Sequence, residues 1–163
     1  MAAGKTTIGR HLARELGVAF ADTDDLIVAR HGAIASLFEA RGESGFRAAE
    51  YEAVREALDE APGVLAIGGG AVTYGPTRDL LAERALRVYL DVPVETLVAR
   101  LRRSRTVRPV VGDAPTMERV RELLAAREPL YRQSELVVPG PYESKLAFAR
   151  AIVAELRAGR HAS

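Results

Sequence analysis

The sequence has 163 residues, 48% of them hydrophobic, and a formal net charge of +1; this fits one domain with a real core and argues against a general nucleic-acid or membrane-surface partner. The absence of cysteine removes disulfides and thiolate chemistry, and His11, His31 and His161 show no metal-ligand spacing. No apolar run approaches the roughly 18 residues of a membrane span, and no signal-like segment opens the chain, so a cytoplasmic protein is expected.

Ile8, Leu12 and Leu16 recur at helical spacing, predicting a helix over 6–16 that Gly17 ends. A short apolar strand is expected at 18–21, stopping at Asp22-Thr23-Asp24. Two helices follow at 24–31 and 34–41, separated by Gly42-Glu43 from a third at 46–60. The run 64–67 reads as a buried strand closed by Gly68-Gly69-Gly70. A helix at 77–83, a strand at 87–92 and a helix at 93–103 come next. Residues 104–115, rich in arginine and proline without periodicity, read as a mobile loop. A helix at 116–127 ends just before Pro129, followed by a strand at 136–138, a Pro-Gly-Pro turn and a last helix at 143–157. Apolar strands alternating with helices imply an α/β domain, with a parallel sheet covered on both faces, and no linker divides 1–163.

The chemistry begins at Met1-Ala2-Ala3-Gly4-Lys5-Thr6-Thr7, the back half of the phosphate-binding pattern G-x-x-x-x-G-K-[ST]. Its first glycine and the strand that feeds the loop are expected upstream, so the sheet is expected to lack its first, central strand. Backbone N–H groups and the helix N-terminus form an anion site, Lys5 neutralises charge on a γ-phosphate, and the Thr6 hydroxyl suits Mg²⁺. Composition sharpens Lys5: the chain has 21 arginines and only two lysines, Lys5 and Lys145. A compact ammonium suits that position better than a guanidinium fork.

Asp22 and Asp24 end a strand, where α/β sheets bind ligands; one can reach a metal shell while the other meets a hydroxyl. Plain helix capping by Asp24 or Thr23, with Asp22 a turn residue, is the competing reading. Arg47 and Glu50 share a helix face, which a surface ion pair would equally explain. Gly68, Gly69 and Gly70 let a ligand approach the backbone and offer N–H donors, or form a flexible turn. The arginines between Arg100 and Arg108 make either a solvated face or a lid over about 101–115. Arg127 cannot be told from a surface arginine at a helix end by charge alone.

In order, these motifs resemble shikimate kinases: GKTTIGR-x-LA-x-x-LG over 4–17, Phe20 to Asp24, Gly42 to Glu50, Gly68 to Val72, the strand at 88–92, Arg108-Pro109 and Arg127-Glu128-Pro129-Leu130-Tyr131. The resemblance implies a three-layer P-loop kinase fold and transfer of the ATP γ-phosphate to the 3-hydroxyl of shikimate. It places ATP on Ala2, Ala3, Gly4, Lys5, Thr6 and Thr7, with Arg108 closing from the lid, and Mg²⁺ on Thr6 and Asp22. It gives Lys5, Asp24 and Arg108 catalytic parts. It puts shikimate on Asp24, Arg47, Gly68, Gly69, Gly70 and Arg127, the two arginines gripping its carboxylate. Near 139–144, where the family supplies adenine contacts, only backbone packing is expected. ATP and shikimate are the expected partners of a monomer that binds neither nucleic acid nor membrane. A gluconate-type kinase and a non-catalytic nucleotide-binding relative are the alternatives.

Overall fold

Four short parallel strands and seven helices position the site in the computed structural model, which describes residues 2–60, 63–103 and 116–159. The order is α1 (Lys5–Leu16), β1 (Ala19–Asp22), α2 (Thr23–His31), α3 (Ile34–Glu60), β2 (Gly63–Ala66), a 3-10 turn (Ala71–Thr73), α4 (Gly75–Arg84), β3 (Val88–Asp91), α5 (Val94–Arg103), α6 (Met117–Tyr131), β4 (Leu136–Pro139) and α7 (Lys145–Arg157). Among the described residues the strands form two parallel pairs, not one continuous sheet: β1 with β2 and β3 with β4. Among the described residues no strand joins β2 to β3. A cavity of about 630 Å³ is lined from both pairs, by Val64 and Leu65 of β2 and by Val88 and Leu90 of β3.

Two separate apolar cores hold the helices. The larger collects Ile8 and Leu12 of α1, Leu97 and Val98 of α5, Val120 of α6, Leu136 and Val138 of β4, and Phe148 and Ile152 of α7. The smaller joins Ile27 of α2 to Leu37, Phe46, Ala49 and Ala53 of α3. Residues at helical spacing on one side of each element produce both, as burial of an amphipathic stripe requires. At one end of the second sheet Glu135 accepts from the Arg87 backbone N–H at 2.8 Å and from its guanidinium. That cation and those hydrogen bonds hold the Glu135 carboxyl down at about 2.

The helices expected at 34–41 and 46–60 are the two arms of α3, which part at Gly42 (φ 65, ψ −175), where Gly42-Glu43 is expected to separate them. Phe38 and Phe46 stack across the break with centroids 4.4 Å apart, which ties its two arms together. The helix expected to stop at residue 127 runs through Pro129 to Tyr131. Proline there removes one N–H near the helix end, where one fewer backbone bond is tolerated. The triple glycine leads into the 3-10 turn, closed by Thr73 N–H to Gly70 O at 2.9 Å. The lid expected over 101–115 starts in the last turn of α5; residues 104–115, Arg108 among them, lie outside the described residues.

Candidate active site

The loop before α1 bends through two left-handed residues, Ala2 (φ 46) and Gly4 (φ 94). The conformation is free for Gly4 and costs about 1 kcal/mol for Ala2, whose Cβ crowds its own carbonyl region. Arg100, reaching over from α5, steadies this strained turn. Its guanidinium donates to Ala3 O at 2.9 Å and to Ala2 O at 3.3 Å. Residue spacing alone does not reveal that role. From the loop, Lys5 opens α1, which carries no acidic residue in its first turn, so helix N-terminus and ammonium present one positive face.

Thr6 and Asp22 meet next to it. Thr6 Oγ1 donates to Asp22 Oδ2 at 2.6 Å, while Asp22 Oδ1 accepts the Asp24 N–H at 3.0 Å and caps α2. The capping reading is therefore met, by Asp22 and not by Asp24 or Thr23. Two hard oxygen donors side by side fit Mg²⁺, a cation that takes one or two protein oxygens and fills its shell with phosphates and water. No cluster of three or more His, Asp or Glu suited to a metal exists among the described residues, so no all-protein cage competes with that arrangement.

Arg47 and Glu50 are buried in α3, not on the surface: their side chains are 7% and 0% exposed, with Arg47 Nη1 2.6 Å from Glu50 Oε2. Glu43 adds a second carboxylate, 3.1 Å from Arg47 Nη2. Burial pushes the Glu50 carboxyl up, Arg47 pulls it back down, Asp24 raises it and Lys5 lowers it. Three charged groups, from α1, α2 and α3, thus act on one buried carboxylate. Arg47 Nε is buried without a hydrogen-bond partner, leaving a guanidinium donor unspent in the interior.

The glycine loop packs onto this pair. A Cβ on Gly68 would collide with Glu50 Oε1 and come within 3.8 Å of Asp24 Oδ1, and one on Gly70 would stand 2.6 Å from Arg47 Cζ. These two glycines make room for the ion pair. The Gly68 N–H is taken by Thr23 Oγ1 at 3.2 Å, so that donor is structural. On the far side, the Tyr131 hydroxyl donates to Gly69 O and lies in the field of Arg127. Burial pushes its phenol up, with Arg127 and then Arg47 pulling it back. Arg127 is 8% exposed, buried and not a surface residue. Tyr131 stacks on Tyr89 at 5.0 Å, which fixes its ring. The predicted residues Lys5, Thr6, Asp22, Asp24, Arg47, Gly68, Gly69, Gly70 and Arg127 are therefore one constellation. Thr23, Arg100 and Tyr131 belong to it unpredicted, although Tyr131 stood inside the motif that marked Arg127.

A family model described as "Shikimate kinase" matches residues 1–157. A shikimate kinase of Mycobacterium avium is 47% identical over 135 residues, covering 82% of this chain and 76% of its own. One of Halorhodospira halophila is 42% identical over 159 residues, covering 96% and 89%. A solved shikimate kinase from Acinetobacter baumannii, in complex with shikimate, superposes with a TM-score of 0.91 at 38% identity over 98% of this chain and 89% of its own.

Replacing Gly70 by alanine forces Arg47 off its seat. The expected loss is about 1–3 kcal/mol, the usual cost of overpacking a buried site. It is read as a lower midpoint in urea unfolding; an unchanged midpoint would mean that Arg47 does not pack against the loop.

Proposed function

The chain belongs to the shikimate kinase family, and we propose that its two buried arginines, Arg47 and Arg127, grip the carboxylate of shikimate while Asp24 holds the hydroxyl that is phosphorylated. The family reaction is transfer of the ATP γ-phosphate to that hydroxyl, with Mg²⁺ as the metal. This sets aside the gluconate-type and non-catalytic alternatives. The observation that carries the residue assignment is Tyr131. Its hydroxyl donates to the Gly69 carbonyl and lies in the field of both Arg127 and Arg47, which gathers two cations and the glycine loop around one point. Two planar guanidinium forks suit a carboxylate ligand.

Asp24 stands at the first turn of α2, held by the Asp22 cap, between the phosphate loop and the arginines. There it orients the attacking hydroxyl and accepts its proton. Lys5 and the α1 N-terminus bind the phosphates and offset charge on the transferring group. Thr6 and Asp22 would hold Mg²⁺, which would supply charge neutralisation on the phosphates. Arg108 closes from the lid in this reading, from outside the described residues. The protein acts as a cytoplasmic monomer. Support for that comes from the few large exposed apolar side chains among the described residues, Leu16, Val18, Val28, Leu86 and Tyr142, and from the lack of any helix there long and apolar enough to cross a membrane.

We propose also that residues 1–163 form part of a single domain completed by one more parallel strand, seated between β2 and β3 and leading into Ala2. Each of those strands has an edge without a strand partner among the described residues. The cavity between them is lined mostly by apolar side chains, and Ala3 lines it. Protein interiors at native density do not keep an apolar void of this size, and a small apolar molecule would leave the strand edges unpaired. A strand satisfies both.

Three measurements test these readings. Asp24→Asn should cut kcat by roughly a hundredfold or more, the usual worth of a positioned base, with ATP affinity nearly intact; wild-type turnover would remove Asp24 from the mechanism. Arg127→Ala should raise KM for shikimate by roughly a hundredfold, the loss of a charge-assisted bidentate contact, and leave KM for ATP within a few-fold; equal losses for both would refute the carboxylate grip. Placing about five β-branched residues and Gly-x before Met1 should raise Tm and slow amide exchange at 63–66 and 88–91. The same segment with a central proline, which lacks the N–H, should do neither; equal effects from the two would overturn the strand.

A further inference from the structure

The two lysines of this chain lie 140 residues apart in sequence and at the same loop in space. Lys145 opens α7 immediately after its cap Ser144, and its Nζ reaches Thr7 Oγ1 at 3.4 Å. Its Cε stands 3.4 Å from where a Cβ on Gly4 would be, so the side chain lies along the outer wall of the phosphate loop. Among the described residues Lys145 has no carboxylate within ion-pair distance, whereas most of the arginines there do. The position is also a poor one for a cation: the first turn of a helix carries the positive end of its dipole, which costs a few tenths of a kcal/mol there. A chain this rich in arginine has kept a compact ammonium where helix electrostatics disfavour any cation. It directs that ammonium at a second helix N-terminus that already holds Lys5 and has no acidic residue in its first turn. An anion at the loop is what relieves the mutual repulsion of these charges.

We propose that Lys145 is a second phosphate-binding lysine, contacting the α- or β-phosphate of the nucleotide from the α7 side while Lys5 serves the β- and γ-phosphates. Thr7, which Lys145 touches, follows Thr6 into the helix, away from the Thr6–Asp22 pair and the transferring group. Lys145 therefore affects nucleotide binding and not the chemical step. The inference rests on the kinase reading of the loop, and the experiment separates the two. ADP and ATP affinities are measured by calorimetry on wild type, Lys145→Gln and Lys145→Arg, with kcat and KM for both substrates. Lys145→Gln should weaken ADP and ATP alike, by roughly three- to tenfold for one solvent-accessible charged contact, with kcat and the shikimate KM unchanged and Lys145→Arg recovering part of the loss. ADP affinity unchanged in Lys145→Gln, or a weakening of ATP alone, would overturn the assignment. So would a fall in Tm with intact ADP affinity, which marks a purely structural contact to Thr7. Wild type that binds no nucleotide would overturn the kinase reading and this inference together.

Discussion

The buried ion pair between Arg47 and Glu50 is the constraint around which the substrate half of the site is arranged. Taking both charges out of water costs several kcal/mol per ion, and their attraction offsets this only when the geometry is held closely. Here it is held by the helix, which sets the two residues one turn apart, and by the glycine loop, which leaves no space for either side chain to swing. The loop in turn is fixed from two sides, by Thr23 through the Gly68 N–H and by Tyr131 through the Gly69 carbonyl. Loss of Arg47 would leave Glu50 a buried charge without its partner, and loss of Glu50 would leave Arg47 only the more exposed Glu43.

Much of this was legible in the sequence because its chemistry is local. Gly4-Lys5-Thr6 opening an apolar-periodic helix, and two aspartates closing a strand, carry their meaning within a few residues. What was not legible depends on contacts between distant segments. Arg47 and Arg127 look like ordinary surface arginines until folding buries them. Gly68 and Gly70 look like a ligand cradle, but the space they leave is filled by Glu50 and Arg47 of α3. Arg100 is one of many basic residues near the end of α5, and only the meeting of α5 with the loop distinguishes it. Pro129 misleads for another reason: as a helix breaker it predicts an end, yet one missing N–H in a terminal turn is cheaply tolerated.

The two halves of the site differ in how they are anchored. The phosphate loop rests on the larger core, through Ala3, Ile8 and Leu12. Asp24 and Arg47 ride on α2 and α3, whose apolar residues form the smaller core and share no member with the larger one. A displacement of the α2–α3 unit therefore need not open a void under the phosphate loop, whereas a rearrangement within either cluster would disturb its own half at once.

Asp22 connects these halves. One of its oxygens faces Thr6, on the nucleotide side; the other ends the backbone of α2, on the acceptor side. Any change of charge or partner at the first oxygen alters the electron density available to the second, and so the grip on the helix that carries Asp24. With Asp24 in its proposed role, filling the nucleotide site and aligning Asp24 would be thermodynamically linked in both directions: tightening the cap would favour occupancy at Thr6 as much as occupancy favours the cap. A single carboxylate would then be the communication line between the two ligands.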